Sequence, residues 1–191
     1  TGLFTSPHLI RINERIRINN VEISDEAFIQ AFQKVKTLID LQMEQGIAHP
    51  TFFEFIYLMA MCAFAEEGIE YGIIETGLGG RLDLTNAVEE PEITVITSVS
   101  LDHTAILGDT VEKIAREKAG ILKPGIPVVF LDKTEEATEA ILNQADLLDC
   151  MPFAVRKNWL ENISVDANRI AFTYRCPYFQ KYDIILRSNG M

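Results

Sequence analysis

Acidic and imidazole side chains directly follow two apolar segments whose composition predicts β-strands. The segment YGIIE ends at Glu75 and continues into TGLGGRLDLTN, which contains Asp83. The segment ITVITSVS is followed, after one leucine, by Asp102 and His103. In an open parallel sheet, ligands gather beyond the carboxyl ends of the strands. We therefore expect these four side chains to lie along one edge of a sheet, where they could hold a metal ion.

Each of these signals also has a structural explanation. Glu75 could cap an element or form a salt bridge, and His103 could satisfy hydrogen bonds at the end of a strand. The glycines Gly77, Gly79 and Gly80 could form a tight turn, because a glycine cluster alone is weak evidence for phosphate binding.

Lys118 has an unusual position in a predicted helix over 110–119. Val111, Ile114, Ala115 and Lys118 are spaced i, i+3, i+4 and i+7, which puts the lysine within the apolar stripe. Burial of an ammonium group favours the neutral amine, which can react with carbon dioxide to form a carbamate. The alternative is a lysine whose stem packs while its amine reaches water.

The segment TSPHL at positions 5–9 predicts a turn after a short strand. On its own it is an ordinary Ser-Pro turn, although the Ser6 hydroxyl is an oxygen ligand of the kind that Mg²⁺ accepts. We expect His8 and His49 to be structural or surface residues.

Alternating strands and helices predict an α/β fold, a doubly wound and mostly parallel sheet with helices on both faces. The predicted elements are a helix from Ser24 to about 46, a helix at 52–67, a strand at 71–76, a strand at 93–99, a helix at 110–119 capped by Asp109, a strand at 127–131 and a helix at 135–148. Short antiparallel strands follow at 163–165, 170–174 and 182–186. We expect a parallel α/β part over 1–150 and an antiparallel section over 151–191.

Composition narrows the function classes. A chain of 191 residues with 48% hydrophobic and 24% charged residues suits one soluble domain. The net charge of -11 argues against a nucleic-acid partner. The longest apolar run, FIYLMAMCAFA, has 11 residues, whereas a membrane span needs roughly 20. Three widely spaced cysteines fit a reducing cytoplasm.

Together these segments resemble the folylpolyglutamate synthase and dihydrofolate synthase family, within the larger group of Mur-type ligases. The resemblance is carried by TGLFTSPHLIRINERI at 1–16, TFFEF at 51–55, ETGLGGRLDLTN at 75–86, SLDHTAILGDT at 100–110 and IAREKAGILKPG at 114–125. These stretches cover much of the first 125 residues in the family's order. The combination of TSPHL with GLGGRLDLTN distinguishes this family from the peptidoglycan ligases.

The resemblance implies roles for individual residues. Ser6, Glu75 and His103 match the family's Mg²⁺ ligands, and Lys118 matches its carbamylated lysine. Contact with the pterin part of the substrate is implied for a second set, Thr51, Phe53, Asp83 and Leu84. Asn20 stands where the family often has glycine, which is harmless if the turn needs a left-handed residue.

The implied reaction joins L-glutamate to dihydropteroate or a reduced folate, using ATP and two Mg²⁺ ions, through an acyl phosphate. The chain contains no GxxGK[ST] phosphate-binding loop and no counterpart of the family's C-terminal glutamate-ligase domain. We therefore expect a central domain over 1–191 that is inactive alone and belongs to a monomeric, cytoplasmic enzyme without nucleic-acid or membrane partners.

Two other functions remain open at this point. A metal-dependent phosphohydrolase could use Glu75, Asp83, Asp102 and His103 as a cluster that activates water. A non-catalytic nucleotide-sensing domain would naturally lack the phosphate-binding loop.

Overall fold

The four strands of the first 89 residues form a mixed sheet. They are β1 (Gly2–Phe4), β2 (Ile16–Ile18), β3 (Val21–Glu22) and β4 (Gly72–Ile74), in the order β3-β2-β1-β4. The β1 strand is parallel to β4, with Phe4 opposite Ile74, and antiparallel to β2. The β2–β3 turn has Asn19 at φ 50° and Asn20 at φ 67°. Both are left-handed, as a tight hairpin turn requires, so asparagine serves here in place of glycine.

This sheet belongs to the first of two units, Thr1–Glu89 and Glu90–Met191, in a computed structural model that describes residues 1–177 and 179–187. Two helices accompany it, α1 (Asp25–Glu44) and α2 (Phe52–Glu66). The hydroxyl of Ser24 accepts a hydrogen bond from the backbone N–H of Ala27 at 3.2 Å, which confirms the predicted cap of α1.

Thr51 caps α2 through a reciprocal pair of hydrogen bonds. Its hydroxyl accepts from the backbone N–H of Glu54 at 3.3 Å, and the Glu54 carboxylate accepts from the backbone N–H of Thr51 at 2.7 Å. The α2 helix is apolar and packs against α1 and β1. The core of the unit includes fully or almost fully buried side chains from each of these elements: Phe4, Ile16, Val35, Met59 and Ala60.

The second unit begins with a parallel sheet. Its strands are β5 (Thr94–Ile96), β6 (Val128–Leu131) and β7 (Pro152–Val155), in the order β5-β6-β7. Its helices are α3 (Thr104–Leu107), α4 (Val111–Ala119) and α5 (Glu135–Leu147). The strand β7 lies just beyond the expected end of the parallel part at 150, because its four residues continue the parallel sheet by pairing with β6.

The predicted cap of α4 was wrong. The hydroxyl of Thr110, not Asp109, accepts from the backbone N–H of Lys113 at 3.2 Å. Asp109 instead forms a salt bridge of 2.7 Å with the Lys113 amine. The strand predicted at 93–99 is shorter than expected, because only Thr94–Ile96 pairs with β6.

The antiparallel section near the end of the chain is confirmed. The strands β8 (Leu160–Asp166), β9 (Arg169–Cys176) and β10 (Phe179–Arg187) follow one another as an antiparallel meander. The expected α/β fold is therefore present, with parallel strands in both units. Among residues 1–177 and 179–187, no helix is long and apolar enough to span a bilayer.

Candidate functional site

Ser6 and Glu75 meet at the carboxyl ends of two neighbouring parallel strands. Ser6 follows β1 and Glu75 follows β4, although 69 positions separate them in sequence. The backbone N–H of Ser6 donates to Glu75 Oε2 at 2.8 Å, and the backbone N–H of Glu75 donates to the Phe4 carbonyl at 2.9 Å. Two of the predicted metal ligands are thus adjacent, at the kind of edge that the strand-end rule selected.

A cavity of about 400 Å³ opens beside Ser6. The residues that line it come from the loops after β1 and β4 and from the start of α2: Ser6, Pro7, Arg15, Phe52, Phe53, Gly77, Leu78 and Asp83. The lining is mostly apolar, with a few polar groups, as is usual for a site that binds a small molecule.

Two of the four residues expected to contact a pterin line this cavity, namely Phe53 and Asp83. Thr51 is the cap of α2, and Leu84 packs against the hydrophobic core at the start of a short 3-10 helix. The substrate role of all four residues stays a prediction.

The carboxylate of Asp83 organises the glycine-rich loop. Its Oδ2 accepts from the backbone N–H of Leu78 at 2.9 Å. Its Oδ1 accepts from the backbone N–H of Thr85 at 3.0 Å and from the Thr85 hydroxyl at 2.7 Å. These three hydrogen bonds engage both carboxylate oxygens within the loop, which disfavours a metal cluster that includes Asp83.

The sequence did not single out Arg15 and Phe52, which also line the cavity. Arg15 is only 8% exposed, and its Cζ lies 5.4 Å from the centre of the Phe52 ring. Residue type argued against burial, because arginine is normally exposed. No periodic pattern could have identified it.

Glu14, another residue that the sequence did not select, anchors the loop that follows Ser6. Its Oε1 accepts from the backbone N–H groups of Ile10 at 2.8 Å and Arg11 at 2.6 Å, and its Oε2 from that of Leu9 at 2.8 Å. These hydrogen bonds, with that from Arg11 contributing most, lower the pKa of Glu14 from 4.5 to about 2. One acid therefore fixes three consecutive backbone amides.

We expect the anchor to persist in mild acid. Since the folded-state pKa of Glu14 lies below its ordinary value, its contribution is complete above pH 4.5 and is lost as the pH falls towards 2. The amide NMR shifts of Leu9, Ile10 and Arg11 should therefore stay constant down to about pH 3. A Glu14→Gln variant should not show the titration at lower pH. Amide shifts that titrate near pH 4.5 would contradict the assignment.

In the second unit, His103 has a strained backbone. It precedes α3 with φ 48° and ψ 39°, a left-handed conformation that few non-glycine residues adopt. Its backbone N–H donates to Asp102 Oδ1 at 2.8 Å, and its Nε2 lies 3.7 Å from Asp102 Oδ2. The imidazole is 58% exposed and therefore accessible to a ligand. Such strain often occurs at functional sites.

Lys118 lies on the inward face of α4, as its spacing predicts. Ile114 and Ala115, one turn earlier, are fully buried, and Lys118 is partly buried. The other cations of this helix have acidic partners, Lys113 with Asp109 and Arg116 with Glu112. Within the described part of the chain, the Lys118 amine has no ion-pair partner.

The predicted metal ligands are divided between the two units, with Ser6 and Glu75 in the first and His103 and Lys118 in the second. Their shared magnesium site stays a prediction. Within the described residues of each unit, no group of three or more His, Cys, Asp or Glu side chains could hold a metal ion. The Ser6 hydroxyl and the Glu75 carboxylate supply the hard oxygen donors that Mg²⁺ prefers, so their chemistry fits that ion.

The chain is similar to proteins named folylpolyglutamate synthase and dihydrofolate synthase. It is 44% identical over 145 residues to folylpolyglutamate synthase of Arabidopsis thaliana, covering 76% of this chain and 25% of the relative. It is 45% identical over 146 residues to dihydrofolate synthase/folylpolyglutamate synthase of Bacillus subtilis strain 168, covering 76% of this chain and 34% of the relative. The chain thus spans a quarter to a third of the length of these relatives.

Solved structures give the same likeness. The apo form of L. casei FPGS aligns with a TM-score of 0.87 and 32% identity, covering 97% of this chain and 45% of that one. E. coli FolC in complex with DHPP and ADP aligns with a TM-score of 0.71 and 34% identity, covering 91% of this chain and 39% of that one. The model of the Mur ligase middle domain matches residues 22–175. This chain therefore belongs to the Mur ligase middle-domain family.

Proposed function

We propose that this chain is the central domain of an ATP-dependent ligase that adds L-glutamate to dihydropteroate or to a reduced folate. Several relatives of 37–45% identity are folylpolyglutamate synthases or bifunctional dihydrofolate synthases. Structural neighbours include an FPGS-AMPPCP-folate complex at 33% identity and a TM-score of 0.87. These likenesses support ATP and a folate-type acid as substrates.

One observation carries the proposal. The Ser6–Glu75 pair, with oxygen donors suited to magnesium, borders a cavity whose wall contains the two rings of Phe52 and Phe53. A flat aromatic acid can enter such a cavity while its carboxylate stays near the polar edge. Recognition of an aromatic body and activation of a carboxylate would then occur at adjacent positions.

The proposed magnesium ligands are Ser6, Glu75, His103 and a carbamate on Lys118. The Lys118 nitrogen would attack the carbon of carbon dioxide and lose one proton, which gives a carboxylate-like oxygen donor. Lys118 is partly buried and has no ion-pair partner among the described residues, so no carboxylate competes for its nitrogen. Two magnesium ions would offset the negative charge of the phosphates.

In the proposed reaction, an oxygen of the substrate carboxylate attacks the γ-phosphorus of ATP, and ADP leaves. The amino nitrogen of glutamate then attacks the acyl carbon, loses a proton and displaces phosphate. The Phe52 and Phe53 rings would hold the aromatic body and exclude water from it, while Ser6 and Glu75 would orient the charged groups.

The direct test uses the full-length protein that contains this chain. Incubation with ATP, Mg²⁺, L-glutamate and either dihydropteroate or tetrahydrofolate should give a product heavier by one glutamyl residue, with one ADP and one phosphate per product. Comparing the two acids identifies the substrate. Omission of glutamate should abolish ADP formation in the steady state.

The same assay separates the other two functions. Phosphate release from a phosphorylated substrate without ATP or glutamate would indicate a hydrolase, which the engaged carboxylate of Asp83 disfavours. Nucleotide binding without any product would indicate a sensing domain. Either result would contradict the proposed ligase.

We expect Gly77→Ala to weaken binding of the aromatic acid. A Cβ at this position would lie 2.6 Å from Phe53 Cζ, so the ring must leave its position in the cavity wall. Such overpacking costs about 1–3 kcal/mol. The Kd for pteroate, measured by fluorescence titration of the full-length protein, should rise roughly tenfold, or about 1.4 kcal/mol.

Gly72→Ala is the matched control for this substitution. The nearest atom to its added Cβ is Ile69 Cδ1, at an ordinary contact distance of 3.6 Å. We expect the Kd for pteroate to stay within about twofold of wild type. An unchanged Kd in Gly77→Ala would mean that the Phe53 ring does not contact the ligand.

A further inference from the structure

A buried cation lies in the wall of the cavity beside Ser6. Arg15 is 8% exposed and lines the cavity together with Phe52, whose ring centre lies 5.4 Å from the Arg15 Cζ. The Arg15 Nε donates to His8 Nδ1 at 2.9 Å. A buried charge is costly unless it is paired and hydrogen-bonded. A cation–π contact and one neutral imidazole are modest compensation.

Within residues 1–177 and 179–187, most of the N–H donors of this guanidinium have no hydrogen-bond partner. Arginine carries five N–H donors, and the hydrogen bond to His8 uses one of them. Among the residues that the structure describes, no carboxylate pairs with Arg15. The other charged residue in the cavity wall, Asp83, directs its carboxylate to Leu78 and Thr85. The cavity therefore offers an unneutralised positive charge to a ligand.

We propose that Arg15 binds a carboxylate of the aromatic acid that occupies this cavity. The assignment rests on the proposed function and adds a substrate-binding residue to it. A guanidinium can donate two parallel hydrogen bonds to one carboxylate. Ser6 lines the same cavity, so a carboxylate bound to Arg15 lies in the cavity that the Ser6–Glu75 pair borders.

His8 and Phe52 act as positioning residues for this contact. His8 receives the Nε hydrogen bond and so fixes the rotation of the guanidinium plane. Because Nδ1 is the acceptor, the ring proton of His8 is on Nε2. The Phe52 ring supports the guanidinium from another side. Lysine cannot replace this planar fork, since its ammonium is a point charge on a flexible stem.

The test compares two ligands that differ in one group, pteroate, which carries a carboxylate, and its neutral carboxamide. Binding to the full-length protein is measured by titration calorimetry with AMPPCP present, so that no turnover occurs. We expect wild type to prefer pteroate by at least about tenfold. In Arg15→Met, which keeps an apolar stem, the preference should disappear while the Kd of the carboxamide stays within about twofold. Arg15→Lys should retain only part of the preference.

Arg11→Met serves as the control, because Arg11 is an exposed arginine paired with Asp25. It should keep the wild-type preference. Equal weakening of both ligands by Arg15→Met would show a packing role and overturn the proposal. A wild-type protein that binds both ligands equally well would also overturn the proposal, and this result does not depend on whether the variants fold.

Two further outcomes separate this assignment from the proposed reaction. If the wild-type protein ligates glutamate but Arg15→Met keeps the preference for pteroate, only the assignment of Arg15 fails. If wild type shows the preference but forms no product, the proposed reaction fails and the assignment stands.

Discussion

Replacing Lys118 with alanine in the full-length protein should lower kcat at least about a hundredfold, or about 2.7 kcal/mol in activation free energy. Lys118 lies one turn beyond the buried Ile114 on the inward face of α4, and its amine has no ion-pair partner among the described residues. Alanine removes the only atom that could carry the carbamate. Steady-state kinetics at saturating ATP, glutamate and folate measures the loss.

Chemical rescue separates a carbamate from a packing role. A short carboxylic acid such as formate or acetate can fill the space of the missing group, so it should restore part of kcat in Lys118→Ala. A loss of stability would not respond to such an acid. Turnover that is unchanged by the substitution would end the carbamate hypothesis.

Lys113→Ala is the matched control on the same helix. Its side chain is 60% exposed, and its amine pairs with Asp109 in an i,i+4 surface salt bridge. Such exposed pairs contribute little to stability. We expect kcat to stay within about twofold of wild type, without any effect of added acid.

The second large effect is expected from Glu75→Gln. The amide oxygen of glutamine can still accept the hydrogen bond from the Ser6 backbone N–H, so the loop contact is kept while the negative charge is lost. Carboxylate oxygen is a preferred magnesium ligand and an amide oxygen is a weaker one. We expect kcat to fall at least about a hundredfold and the Mg²⁺ concentration for half-maximal rate to rise.

Urea unfolding shows whether the Glu75→Gln variant is intact, and its midpoint should stay close to wild type because the hydrogen bond remains. Glu70→Gln removes a charge from an exposed acid a few residues earlier in the chain and serves as the control. It should leave both kcat and the Mg²⁺ dependence unchanged. A Glu75→Gln variant with the wild-type Mg²⁺ dependence would exclude Glu75 as a ligand.

Local patterns predicted the elements that depend on local contacts. The cap at Ser24, the helix at Phe52–Glu66 and the inward face of α4 were all correct. Each follows from residue spacing within one or two turns, where propensity and capping act. The strand-end rule likewise selected Glu75, because the position of a residue relative to its own strand is visible in sequence.

The sequence-based predictions were wrong where two local structures are almost equally favourable. Asp109 and Thr110 are adjacent and both can cap a helix, and only the register of α4 decides between them. The short strand at Pro152–Val155 is specified by its pairing with β6 more than by its own composition.

The sequence by itself determined the α/β class, the acid at a strand end and the lysine on an apolar helix face, because these depend on contacts between near neighbours in the chain. Only the tertiary structure decided that Ser6 bonds to Glu75 across 69 positions and that Arg15 is buried. It also decided that Asp83 is engaged by its own loop. Such outcomes depend on which groups compete for each hydrogen bond and on how far each group is exposed to water. Both are set by packing between segments that are distant in sequence.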